Sequence, residues 1–351
     1  LWQADLRAAK LAGVNLSKAI LFRAVLNEAI LALANLSQID LVRANLRSAR
    51  LDRSNLRLAN LYEADLSGAS LPNTNLSRTN LERAILSRCD LSQANLHHAN
   101  LTDVNLTQAD LTAADLTKAT LFQAILTQAV LQRANLTQAN LDQADLSDAN
   151  LAKALLTKAS LSQANLVNAN LSAADLVEAN LERAILVRAN LEQVNLSRAI
   201  LIAANLTAAN LSKANLSKAN LLAANLSRAN LMAANLLETN LERAILNNAD
   251  LFGASLQRSN LIQATLTSAD LRETDLVGAD LRLADLTGAN LFGANLKDAN
   301  LKGANLAGAN LYRTRLTGTH LRGAYYDEKT EFSRKFDPVK SGMLSRSIVS
   351  I

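Results

Sequence analysis

The sequence predicts an all-β solenoid, a four-sided coil of 20 residues per turn, and three observations predict it. Leu occupies every fifth position from Leu1 to Leu321, giving 65 consecutive pentapeptides with no insertion. The residue two before each Leu is nearly always Ala. The residue just before Leu is Asn or Asp in 45 of the 64 slots that precede Leu6 through Leu321.

A period of five fits neither an α-helix nor a β-strand, whose side chains repeat at 3.6 and 2.0 residues. Five helical residues turn through about 500°, so each repeat would drift by about 140°. A chain that bends once per pentapeptide instead presents Leu inward from every side. Four bends close one lap, and stacked laps join as backbone ladders about 4.8 Å apart, for about 16 coils in all. Aromatic content is 3%, so Leu and Ala must fill the interior. Small Ala lets each wall approach the axis, while Leu stacks on Leu above and below. Each buried Leu contributes roughly 1.5–3 kcal/mol before chain entropy is subtracted. Asn and Asp suit the corners because their short side chains hydrogen-bond to nearby backbone.

The unit Ala-(Asn/Asp)-Leu-x-x, as in Ala294-Asn295-Leu296-Lys297-Asp298, resembles the pentapeptide-repeat family in its cyanobacterial form. The resemblance covers residues 1–324 and implies a right-handed quadrilateral β-helix. It also implies that the central Leu and the Ala two before it point inward, with the other three positions outward. Within the array, Gly often takes the second position after Leu from Gly253 onward, where earlier repeats carry Lys, Arg or Gln. Glycine is therefore not obligatory for the bend.

The pattern breaks after Leu321. Tyr325 to Pro338 carries four aromatics in 14 residues, and residues 325–340 are expected to cap the coil. Without a plug, the Leu core and open ladder would invite end-to-end pairing. Phe332 and Phe336 are the candidate plug, and the segment is similar to the ends of cyanobacterial pentapeptide proteins. Residues 341–351 read as a flexible tail. No such cap precedes Leu1, and the chain opens in mid-pattern without Met, so a truncated N-terminus is expected.

Composition narrows the function classes. The chain has 36 basic and 31 acidic residues, a formal +5, too mild a balance to imply nucleic acid by itself. Cys89 is the single cysteine, so no internal disulfide or cysteine zinc site is expected; it replaces Ala in an inward slot and reads as a small buried hydrophobe. No run of 18 apolar residues and no signal peptide is present, which favours the cytoplasm. His97, His98 and His320 form no triad or metal cluster, and the Asn-Leu-Ser/Thr tripeptides, such as Asn15-Leu16-Ser17, are generated by the repeat. Thr117, Thr137 and Thr157 stand in register without the paired ladder of an ice-binding face. A packed Leu interior leaves no pocket for general acid–base or nucleophilic chemistry. No catalytic residue, cofactor or metal is expected.

Residues 20 apart stack in columns, so the exterior can be read face by face. One column holds Trp2, Phe22, Val42, Tyr62, Phe122, Ile202, Leu222 and Ile262, with Glu82, Thr102, Asp142, Ser162, Glu182 and Glu242 between them. Along its edge, five of the ten aliphatic corner residues fall in one column: Val25, Ile85, Ile125, Ile185 and Ile245. Two readings stand, local ladder stabilisation by stacked aliphatics or a protein-binding stripe. The preceding face is basic, with Lys18, Arg57, Arg78, Lys118, Lys158, Arg198, Lys218, Arg258 and Lys297 against Glu178, Glu238 and Asp298. It could be a solvated face or an anionic-surface contact.

The leading expectation is a non-enzymatic scaffold that displays flat faces to a protein partner. The resemblance supplies an alternative, because the family's quinolone-resistance proteins mimic DNA and bind type II topoisomerases; that mechanism wants an acidic, loop-bearing surface, and this chain is basic and loop-free through Leu321. Peripheral binding to an anionic membrane through the basic face is a further alternative. Nucleic acid is not an expected partner.

Overall fold

The computed structural model describes residues 2–345. The chain divides into two compact units, Leu1–Asn180 and Leu181–Ile351. Among the described residues there is no α-helix, and both units are made from one turn repeated.

In each pentapeptide the inward Ala donates its N–H to the carbonyl of the Leu three residues before, as Ala24 does to Leu21 at 3.0 Å. The second residue after Leu always has positive φ, from Gln3 (55°) to Arg313 (62°), whether or not it is glycine. Positive φ at the third of four turn residues alone is type II geometry. Leu71-Pro72-Asn73-Thr74 shows the fit: proline presets the first central position, and Asn73 takes the left-handed one at 56°. The Lys, Arg and Gln residues there adopt the same conformation, at roughly 1 kcal/mol each relative to an unstrained backbone. The ladder offsets that cost.

In unit 1 the corner residues bridge in parallel to the residue 20 later, from Asp5↔Val25 to Ser160↔Asn180. Three hydrogen bonds per pentapeptide join neighbouring coils. Leu26 N–H donates to the Asn45 carbonyl (2.6 Å), Glu28 N–H to the Arg47 carbonyl (2.9 Å), and Asn45 N–H returns to the Ala24 carbonyl (2.9 Å). Every repeat Leu from Leu21 to Leu176 is buried, as expected. The inward Ala slot also accepts larger apolar residues such as Ile39 and Val104, and polar ones, although the buried Ser54 hydroxyl finds no partner. Thr74 and Thr79 donate their hydroxyls to the carbonyls of Leu51 and Leu56. Cys89 makes the same bond to Leu66 through its thiol, and burial pushes its pKa up to about 12. It is an inert packing group.

Unit 2 repeats the arrangement from Ile185↔Asn205 to Asn305↔Tyr325, and every repeat Leu from Leu181 to Leu311 is buried. Its C-terminal end carries four two-residue strands: β1 (Asn310–Leu311), β2 (Tyr325–Tyr326), β3 (Glu331–Phe332) and β4 (Leu344–Ser345). β1 pairs with β3 and β2 with β4, both parallel. Phe332 stacks on Phe336 with ring centroids 5.0 Å apart and meets Tyr326 edge-on at 5.8 Å. The expected tail from residue 341 differs in its first residues. Gly342 (φ 76°) turns the chain back, Met343 is buried, and Leu344–Ser345 rejoin the ladder. The rest of that expectation, residues 346–351, lies outside the described residues.

Corner Asn side chains add a second ladder. Asn215 donates Nδ2–H to Asn195 Oδ1 (3.1 Å) and accepts from Asn235 Nδ2 (3.2 Å) and from Ser217 N–H (3.2 Å). Aspartate can accept these bonds but cannot pass one on. Where Asp250 stands over Asn230, it receives the Phe252 N–H at 3.0 Å, and no side-chain bond to Asn230 is formed among the described residues. Asn215→Asp is expected to cost about 1 kcal/mol at pH 7, because two oxygens then face each other. Protonation restores a donor, so the folded pKa lies above the ~3.9 of the unfolded chain. Stability is then greatest below that value and lost as pH rises through the folded pKa. Urea midpoints at pH 4 and pH 7 check this; an equal deficit at both would remove the ladder from the account.

Candidate functional site

The two outward turn residues of each pentapeptide make four faces per coil, so functional side chains are placed by register alone. On the first face of unit 1, Trp2, Phe22, Val42 and Tyr62 occupy successive coils. The chain joins them rung by rung: Gln3 N–H reaches the Phe22 carbonyl, Arg23 N–H that of Val42, and Arg43 N–H that of Tyr62. Trp2 is 67% exposed and stacks on Phe22 at 6.2 Å, and the Arg23 guanidinium lies 5.3 Å from the Phe22 ring. Phe22, Val42 and Tyr62 are half-buried. Ion pairs border the run: Arg43 with Glu63 at 2.5 Å, and Arg83 with Asp103 at 3.6 Å. Arg83 also donates to the Tyr62 hydroxyl at 3.1 Å. The Arg43 guanidinium, helped by Tyr62, holds the Glu63 carboxyl below its ordinary pKa. Phe122 stands apart, with Glu82 and Thr102 in the two coils between.

In unit 2 the same column brings Ile202 and Leu222 together, with Ala203 N–H bonded to the Leu222 carbonyl at 2.9 Å. Ile262 is separated from them by Glu242. The predicted stripe is thus a run of four in unit 1 and shorter islands elsewhere. The corner residues Ile85, Ile125, Ile185 and Ile245 are 38–42% exposed. Their bridge partners are polar, as Ile85 lies between Asp65 and Asn105, and Ile125 between Asn105 and Asp145. They do not stack on one another, so stacked apolar pairs stand in the neighbouring column, as Trp2 on Phe22, and not at this corner.

The basic face is not uniform. In unit 2, Lys218 and Arg258 both pair with Glu238 (3.6 and 3.7 Å), and Lys297 meets Asp298 at 4.0 Å. Arg198 is also engaged. In unit 1, Lys158 pairs with Glu178 at 3.6 Å. Among the described residues, Lys18, Arg57, Arg78 and Lys118 have no carboxylate within 4.0 Å. His97 and His98 lie among them, their rings edge to face at 4.3 Å. Burial, with His97, Lys118 and Arg78 nearby, lowers the pKa of His98. Among the described residues no three His, Cys, Asp or Glu side chains converge as a metal site.

One surface was missed by the sequence reading. On the third face of unit 2, Met232, Phe252, Arg272, Phe292 and Tyr312 fall in one column, with Phe292 and Tyr312 at 6.0 Å. Arg272 lies 5.5 Å from the Phe252 ring, and Arg313 5.6 Å from that of Phe292. The signal was present, since reading every twentieth residue from Met232 reveals it as surely as the count from Trp2 reveals the first stripe. A surface hollow of about 490 Å³ lies on the second face of unit 1, where Ser67, Gly68 and Ser87 leave room between Arg47 and Arg88.

Parallel 20-residue register and inward Leu define a β-solenoid whose sequence varies mostly in its outward side chains. A family model for pentapeptide repeats matches adjoining and overlapping segments from residue 1 to residue 323, among them 1–38, 114–151 and 284–323. The chain belongs to the pentapeptide-repeat family. Among solved structures it is similar to HetL, a pentapeptide repeat protein involved in heterocyst differentiation regulation from the cyanobacterium Nostoc sp. strain PCC 7120. That match has 35% identity, covers 62% of this chain and 89% of that one, and has a TM-score of 0.31. Rfr23 from the cyanobacterium Cyanothece 51142 is 46% identical over 27% of this chain and 64% of its own, with a TM-score of 0.27. QnrB1, a plasmid-mediated fluoroquinolone resistance protein, is 17% identical over 52% of this chain and 90% of its own, with a TM-score of 0.27. No curated protein matches the chain in sequence. Among the described residues no helix is long and apolar enough to cross a membrane.

Proposed function

We propose that the chain is a non-enzymatic scaffold, a right-handed quadrilateral β-helix of about 16 coils, which binds a protein partner through its first face. The run Trp2, Phe22, Val42 and Tyr62 carries this reading. Four large apolar groups in successive coils make a continuous patch, the kind of surface that aromatic anchors dominate in protein interfaces. The exposed Ile85 and Ile125 extend it along the adjoining corner. Net charge argues against DNA mimicry, since the chain carries +5 where a mimic needs an acidic skin.

Thr102 stands in the same column as the aromatics, so Phe22→Thr, Tyr62→Thr and Phe122→Thr should keep the fold. In quantitative affinity capture with the full chain, the triple variant is expected to lose its partner at least about tenfold, the loss of one modest anchor. Thermal unfolding should match the parent. An unchanged set of captured proteins at unchanged amounts would overturn the first-face assignment.

A further inference from the structure

Independently of the protein-binding reading, the fourth face of unit 1 has an unusual composition. Its outward positions from Ser17 to Thr157 include no carboxylate, while Lys18, Arg57, Arg78 and Lys118 project from it. All four lack an ion pair among the described residues, whereas Lys158 on the same face and Lys218 on that of unit 2 are held by Glu178 and Glu238. At about 4.8 Å per coil, Lys18 to Lys118 spans about 24 Å. Two corner carboxylates border the stretch, and each is turned onto its own turn. Asp40 accepts the Val42 N–H, and Asp115 accepts from Thr117 N–H and hydroxyl.

Two aliphatic side chains stand among these cations. Ile20, at the corner beside Lys18, is 61% exposed, and Leu58, next to Arg57 and in the Arg78 column, is 39% exposed. Asn is the usual corner residue, and Gln38 and Gln138 hold the Leu58 position in other coils. Neither aliphatic is needed by the fold.

We infer that the fourth face of unit 1 is a docking surface for an anionic lipid bilayer, with Lys18, Arg57, Arg78 and Lys118 against the headgroups and Ile20 and Leu58 in the headgroup–acyl boundary. Cations without partners lose no ion pair on approaching such a surface. Exposed aliphatics gain from an apolar boundary layer and gain nothing from a phosphodiester backbone. That difference separates a bilayer from nucleic acid, which would use the cations alone. The four cations and Leu58 share the two outward columns of this face, which no insertion interrupts, and Ile20 stands at its corner.

The test uses the full chain and sedimentation with vesicles of phosphatidylcholine, with or without phosphatidylglycerol. Binding is expected with the anionic vesicles and not with phosphatidylcholine alone. Arg57→Ser, Arg78→Gln and Lys118→Gln place residues that already occupy those columns, and should lower partitioning about fivefold per cation removed. Ile20→Asn with Leu58→Gln should weaken binding several-fold while leaving its salt dependence unchanged. Lys158→Gln with Lys218→Gln should change it less than twofold, because those charges are already neutralised. Thermal unfolding of each variant confirms the fold. Failure to bind anionic vesicles, insensitivity to the three cation substitutions, or tighter binding to duplex DNA with no response to Ile20→Asn and Leu58→Gln would each overturn the inference. None of these results touches the first-face variants, so the two readings fail separately.

Discussion

Leu226→Asp is expected to unfold its neighbourhood at a cost of at least about 5 kcal/mol. Truncating a buried Leu costs about 2–5 kcal/mol, and an unpaired carboxylate adds its own desolvation. Leu226 is fully buried, and its register neighbours in the adjoining coils are Leu206 and Leu246, also fully buried. The buried polar side chain of the same coil, Thr239, already gives its hydroxyl to the Leu216 carbonyl. In a solenoid each coil contacts only its neighbours, so the lesion should be local. Hydrogen exchange should show lost protection in the coils on either side of Leu226, with the denaturation midpoint falling. Arg228→Gln, on an exposed turn two residues away, should stay within about 0.5 kcal/mol. If the two variants unfold alike, stability does not come from the inward Leu column.

The second large effect is expected at the C-terminal aromatic cluster. Phe332→Ala with Phe336→Ala removes the stacked pair that also supports Tyr326. The rings are half-buried, so the loss is expected to be about 2–4 kcal/mol, below that of two fully buried phenylalanines. Phe332 is the bridge partner of Leu311, and removal of its ring is expected to expose apolar surface at the end of the Leu column. Self-association should follow, since an exposed apolar patch invites another chain. Sedimentation velocity against the parent reads this directly. A variant with the parent's sedimentation coefficient and unfolding midpoint would show that the aromatic cluster does not seal the end.

Leu21 to Leu311 were legible as the core because a five-residue period with no exception allows one register, and that register is the 20-residue bridge observed at Asp5↔Val25 and onward. The left-handed turn residues were not legible. Lys118, Arg198 and Gln138 carry no mark of positive φ, because the backbone conformation is imposed by the rungs above and below. The return of Leu344 to the ladder was hidden because residues 341–345 lack the repeat, and their placement depends on Gly342 and on the burial of Met343. For the surface, the columns could be read, and with them the ion pairs between residues 20 apart. Glu238 stands 20 residues after Lys218 where Gln38 follows Lys18, so the column rule held this pair although the distance itself came only from the structure.

The three rungs per pentapeptide do not cancel. Two N–H groups point toward the C-terminal side and one toward the N-terminal side, as Leu26, Glu28 and Asn45 show. Each pentapeptide therefore leaves one uncompensated peptide moment of about 3.5 D, or four for every ~4.8 Å of ladder, an axial density close to that of an α-helix. The polarity is reversed, with the electropositive pole at the C-terminal end, and a carboxylate is held there. Asp327 receives the Gly308 N–H at 2.8 Å, and although burial opposes its ionisation, the N–H groups of Gly308, Lys329 and Thr330 with the Thr330 hydroxyl keep its pKa below the ordinary value. The segment after the last repeat thus places a carboxylate where the ladder directs its surplus of N–H groups.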